Sequence, residues 1–159
     1  MIGKLKVAGV AALGVAVGLL IVWRLQPDRR SDSQQVLEAL VAMQRAVEAK
    51  RTGDFMEHIS EAYRDSTVEN KRELMRLVQS GLYERGEFHC GLQVGTPQVD
   101  GRRATVDVAV DFSIDRDGRT SAAKPFTVRT EWAKEQSGWK IVRAEGYMEA
   151  EPAFGDGAF

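Results

Sequence analysis

The chain has one cysteine, two histidines and four prolines in 159 residues. A lone Cys90 excludes an intramolecular disulfide and any multi-cysteine metal site. No stretch matches a phosphate-binding glycine loop, a nucleophile elbow or a cluster of metal ligands, so neither a metal nor a cofactor is expected. A basic excess is missing too. The net charge is −1, and five of the 22 basic residues but only one acidic residue (Asp28) fall in the first 30 positions. The remainder carries 17 basic against 22 acidic side chains, which argues against nucleic acid as a partner.

What is present begins with an apolar run. Val7 to Trp23 is 17 residues without a charge, bracketed by Lys4, Lys6 and Arg24. At about 1.5 Å per residue it covers roughly 26 Å, the short end of a membrane span. Lys6 and Arg24 can reach outward and Trp23 suits an interface. A cleaved signal peptide needs small residues after the run, and Trp-Arg-Leu-Gln-Pro follows instead. The expected organisation is a tail at 1–6, a transmembrane helix at 7–25, a linker at 26–32, a domain at 33–148 and a C-terminal tail at 149–159. The bilayer is then one partner. A short basic tail is easily kept in the cytoplasm, which puts the soluble domain on the extracytoplasmic (periplasmic) side. Ala11, Gly14 and Gly18 form a small-residue face on which another helix can pack.

Downstream, Ser31 with Gln34 reads as a capping box, followed by Val36, Leu37, Leu40, Val41, Gln44 and Val47 at helical spacing. Lys50, Arg51 and Gly53 mark its end. Asp54 with Glu57 starts a second, short helix carrying Phe55, Ile59 and Tyr63. Ser66 with Glu69 starts a third, carrying Leu74, Met75, Leu77, Val78 and Leu82. Strands follow: Glu87 to Val94, then Ala104 to Ile114 with Val106, Val108, Val110, Phe112 and Ile114 on one face, then Phe126 to Trp132, then Trp139 to Arg143. Asp115 to Gly118 and Ser137-Gly138 are the turns. The fold class is α+β: three helices on one face of a curved four-stranded antiparallel sheet, preceded by one membrane helix.

A helix, Gly53-Asp54-Phe55, a short helix ending Ser60-Glu61-Ala62-Tyr63, a third helix and a closing Gly138-Trp139-Lys140-Ile141 strand resemble the nuclear transport factor 2-like superfamily, with its SnoaL-like and ketosteroid-isomerase-like domains. The resemblance covers residues 33–148. It implies a cone-shaped, cystatin-like fold, often with a pocket at the open end, and members that are enzymes, small-molecule binders or interaction modules. It does not choose among them.

Enzymes of that fold place a carboxylate or histidine inside the cone. His58 borders the inward stripe of the second helix and His89 alternates away from it; both read as surface residues. Asp107 and Asp111 lie about 13 Å apart along one strand, too far for a dyad, and suit cross-strand pairing with Arg129. Arg143 and Glu145 share the phase of Trp139 and Ile141 and are the one ionisable pair that can enter the cone mouth, where Tyr63 and Tyr83 add hydroxyls; a satisfied ion pair at the sheet's end is the other, leading reading. Cys90 reads as buried and inert. The expected ligand pocket is Tyr63, Val108, Phe112, Trp132, Arg143 and Glu145, with no catalytic residue. The leading expectation is therefore a non-catalytic, single-span membrane protein whose domain binds proteins, as an accessory or assembly subunit or a homodimer. A carrier or sensor of a small apolar ligand is the alternative, and an isomerase- or cyclase-like enzyme is a third.

Overall fold

A computed structural model describes residues 30–82 and 86–147. The expected membrane segment at 7–25, its face of Ala11, Gly14 and Gly18, Tyr83 and the tail at 149–159 lie outside these residues. Among the described residues, no helix is long and apolar enough to cross a membrane.

Helix α1 spans Asp32–Glu48. Its capping box closes as the sequence requires: the Gln34 amide donates to the Ser31 hydroxyl (3.2 Å), and the Ser31 amide to the Gln34 side chain (3.0 Å). The buried stripe is Val36, Ala39, Leu40, Met43 and Ala46. It is rotated from the expected one, leaving Val41 exposed. At the C-terminus Lys50, not glycine, takes the left-handed conformation (φ 55°). The Arg51 amide reaches Ala46 O and the Lys50 amide Val47 O, a Schellman closure.

The other two helices start differently from the sequence reading. Helix α2, Thr52–Met56, is five residues long and has no side-chain cap. Asp54 sits in its first turn, paired with Arg51 (3.1 Å). Ile59 lies beyond it, in a single parallel bridge to Ile141. Helix α3, Lys71–Leu82, is preceded by Asn70, whose carbonyl oxygen accepts from the Glu73 amide (3.1 Å). Ser66 is not its cap, because Asp65 claims the amides of Thr67 and Val68 to build a turn first.

Among the described residues the sheet has six strands rather than four. The expected four form its spine in the order β1-β3-β5-β6, with β1 at Glu87–Val94, β3 at Arg103–Arg116, β5 at Phe126–Glu135 and β6 at Gly138–Glu145. Two short strands, β2 (Gln98–Asp100) and β4 (Arg119–Ala122), pair with the two ends of β3. Neither carries an alternating apolar pattern, which is why the sequence concealed them. Asp117 (φ 51°) and Gly118 (φ 74°) make a two-residue hairpin that lets β3 run to Arg116. Val106 and Val108 are buried in the core shared with the helices, and Ile114 is buried in the same phase near the end of the strand.

One irregularity reverses a sequence expectation. Along β5 and β6 the pairing passes from Glu131↔Arg143 to Trp132↔Ile141, so Val142 is an extra residue in β6. Trp139 and Ile141 are buried on the inner side of this bulge. Past it the alternation inverts: Ala144 turns in, and Arg143 and Glu145 turn out. Their carboxylate–guanidinium contact of 2.6 Å is nearly half exposed. The two residues therefore lie on the outer face, not at the cone mouth.

Candidate functional site

Between the helices and the concave face lies a cavity of about 570 Å³. Leu40, Met43 and Val47 of α1 line it, with Leu74, Leu77 and Val78 of α3 and Leu92, Val108, Val110, Phe112 and Val128 of the sheet. Leu74 and Val78 border the void instead of filling it. Of the residues expected in a pocket, Tyr63, Val108 and Phe112 line this cavity. Trp132 does not: it is 0% exposed and packed into the core beneath.

The polar atoms of the lining are few, and they are already engaged. The Gln44 side-chain amide donates to Cys90 O (2.5 Å). Thr130 donates its hydroxyl to Val106 O (2.9 Å) and accepts from the Trp132 indole (2.9 Å). Tyr63 and Tyr147 both donate to one carboxylate oxygen of Asp65, the second at 2.8 Å. The other Asp65 oxygen accepts from the amides of Thr67 (2.7 Å) and Val68 (2.9 Å). Partial burial works to raise the Asp65 pKa, but the bonds from Tyr63, Val68, Thr67 and Tyr147 outweigh it, and the carboxyl sits below its ordinary value.

Three groups in the lining can in principle lose a proton, and each is held in its protonated form. Burial, then the hydrogen bond to Asp65, pushes the Tyr63 phenol far up. The same two causes push Tyr147 up to about 12. Burial, followed by the fields of Glu48 and Asp111, pushes the Cys90 thiol up to about 11. His58 lies outside the lining; burial lowers its pKa, and Lys140 adds to the effect. His89 is exposed and meets Asp115 at 3.1 Å. Among the described residues no group of three metal-ligating side chains converges.

Sequence reasoning missed Asp65 and Tyr147. The signal for Asp65 was its Asp-Ser-Thr spacing after Tyr63, an Asx-turn pattern. The signal for Tyr147 was the glycine before it. Gly146 has φ 98°, and a Cβ there would come within 2.4 Å of Thr127 O. Only glycine fits that bend, which carries Tyr147 from the end of β6 to Asp65.

No protein-family profile matches the sequence, and no curated protein does either. Solved structures do resemble it. A Streptomyces avermitilis protein of the NTF2-like family, provisionally assigned as a dehydratase, is 16% identical over 71% of this chain and 93% of its own, with a TM-score of 0.61. An NTF2-like protein with a cystatin-like fold from Novosphingobium aromaticivorans is 16% identical over 82% and 87% (TM-score 0.57). A Nostoc punctiforme protein of unknown function with a cystatin-like fold is 12% identical over 77% and 92% (TM-score 0.62). At these identities the likeness is one of fold: the described domain has the cystatin-like fold of NTF2-like proteins.

Proposed function

We propose that the domain is a non-catalytic binder of a small apolar ligand, tethered to a bilayer by the segment at 7–25. The observation that supports this is the cavity itself: about 570 Å³ with a lining almost wholly of aliphatic and aromatic side chains. Such a volume suits a small organic molecule. General acid–base catalysis needs a group poised to exchange a proton near neutral pH. The lining offers Tyr63, Tyr147 and Cys90, all shifted the wrong way to act as bases.

Titrating fragment 31–159 with the neutral dye N-phenyl-1-naphthylamine tests the reading. The fragment should give saturable, blue-shifted emission, and Val78→Phe, whose ring enters the void, should weaken it at least about tenfold (each extra methylene-sized clash costs on the order of 1 kcal/mol or more). Absence of saturable emission from the folded fragment would overturn the proposal.

A second reading keeps the accessory-subunit or homodimer role. It is favoured by the outer sheet face, where Asp107 holds Arg129 in a two-point contact (2.8 and 3.2 Å) beside the Arg143–Glu145 pair. A face of alternating charge can meet its own copy or a complementary subunit. Native-size analysis after detergent extraction separates the readings: a monomer with nothing co-purifying counts against this one. Protease added to intact cells or spheroplasts checks the extracytoplasmic placement, since an inward domain would be protected until lysis.

A further inference from the structure

The two long helices hold to the sheet unequally. Helix α1 buries five residues, and its side chains also grip the strands. Gln44 donates to Cys90 O (2.5 Å), Glu48 accepts from the Cys90 amide (3.1 Å), and Asp32 accepts from Lys134 (2.5 Å) and Trp139 (3.2 Å). Helix α3 has one buried residue in 12, Leu74. Its apolar face is nevertheless well formed. Leu74, Leu77, Val78 and Gly81 stand at i, i+3, i+4 and i+7, and all four line the cavity. Facing a void, they gain little. Leu77 is 37% exposed, and a Cβ at Gly81 would meet no atom within 4 Å beyond the helix's own backbone and its chain neighbours. The close backbone neighbour of α3 is α2, and an ion pair from Lys71 to the exposed Glu61 (2.7 Å) adds little.

A helix of about 12 residues is marginal in water on its own, and in a protein it is held by what its apolar face packs against. Side chains that border an empty space lose the dispersion contacts of that side. Opening α3 therefore breaks little packing, whereas moving α1 breaks a buried stripe and its hydrogen bonds to β1, β5 and β6. An apolar molecule in the cavity changes that balance, because it gives Leu74, Leu77 and Val78 a partner.

We infer that α3 is the moving wall of the cavity: it swings from the sheet to admit a ligand and closes on the bound molecule. The inference rests on the binder reading, and hydrogen exchange of the full chain in phosphatidylcholine nanodiscs tests it. Without ligand, the amides of 74–82, corrected for intrinsic rates, should exchange at least about tenfold faster than those of 36–46. Saturating N-phenyl-1-naphthylamine should slow 74–82 by about tenfold or more and leave 36–46 unchanged. Two variants fill the void without a ligand. Val110→Phe does so from the sheet and leaves the sequence of α3 intact, and Val78→Phe does so from the helix. Each, once circular dichroism shows it folded, should slow 74–82 as the dye does. Protection of α3 equal to that of α1 in the unliganded chain would overturn the inference. So would bound dye, seen as saturable blue-shifted emission above that of empty nanodiscs, that leaves α3 exchange unchanged; the binder reading would then stand. If no dye binds, that reading fails instead, and the filled variants still decide the moving wall: slowed exchange upholds it, unchanged exchange overturns it.

Discussion

Replacing Thr130 by valine isolates the polar relay under the cavity floor. The Trp132 indole N–H donates to the Thr130 hydroxyl, which donates to Val106 O, both at 2.9 Å and both inside the core. Trp132 is 0% exposed and Thr130 5%. Water therefore cannot replace a lost partner. Thr130→Val preserves shape but strands the indole N–H, and an unsatisfied buried donor costs about 1–3 kcal/mol. At about 2 kcal/mol, and a urea dependence of roughly 1–3 kcal/mol per molar, the unfolding midpoint should drop by about 1 M. Trp132→Phe removes the donor together with some packing, for about 1–3 kcal/mol. The decisive value comes from the double variant. Once the indole is gone, Thr130→Val leaves no orphaned donor and should add less than about 0.5 kcal/mol. Urea unfolding of fragment 31–159 in all four combinations measures this coupling. Simple additivity of the two single changes would refute the relay and leave Thr130 an ordinary strand residue.

Three other outcomes follow from the same packing. Trp139 is 3% exposed and its indole meets Asp32 at 3.2 Å, so Trp139→Ala should cost about 3–5 kcal/mol, whereas exposed Asp111→Ala should cost under about 1, read from denaturant midpoints. The Asp65 pKa is lower in the fold than in the unfolded chain. Its contribution is thus present above the unfolded carboxyl value of about 3.9 and fades as pH falls through the lower, folded value. Asp65→Asn should therefore destabilise at pH 7 by about 2 kcal/mol, with the gap to the native chain closing in acid; a gap constant from pH 7 to pH 2 would sink the charge-based account. Gly146→Ala meets Thr127 O at 2.4 Å in a left-handed backbone and should detach Tyr147 from Asp65, bringing the Tyr147 phenol back from about 12 toward about 10 in a spectrophotometric titration.

Much of the frame was legible because it rests on local, repeating signals. The alternation from Val106 to Ile114 could place its faces only one way, since a strand's side chains change side at every residue. Ser31 and Gln34 declared α1 because both halves of the box are three residues apart. What stayed hidden depends on partners far along the chain. A single inserted residue at Val142 leaves no mark in composition, yet it inverts everything after it in β6. The placing of Arg143 and Glu145 at the cone mouth failed at that one step, while the ion pair at the sheet's end is what the structure shows. The role of Asp65 stayed hidden for a related reason: its turn pattern is local, but its partner Tyr147 lies 82 positions away. The two short strands were missed because pairing with β3, not their own residues, makes them strands.

The bulge also bears on how function divides across this sheet. A regular β6 would have carried two charged side chains into an apolar space of about 570 Å³. Burying them there would have demanded either close pairing or a change of protonation state. With Val142 inserted, Ala144 takes the inward position, and the lining keeps only neutral polar groups that already have partners. The same insertion places Arg143 and Glu145 together on the outer face, where they pair at 2.6 Å and water can reach both. One residue thus separates an apolar concave side from a convex side that carries the ion pairs. The fold permits many chemistries, and the sorting of charge by β6 is what keeps the concave side of this chain apolar.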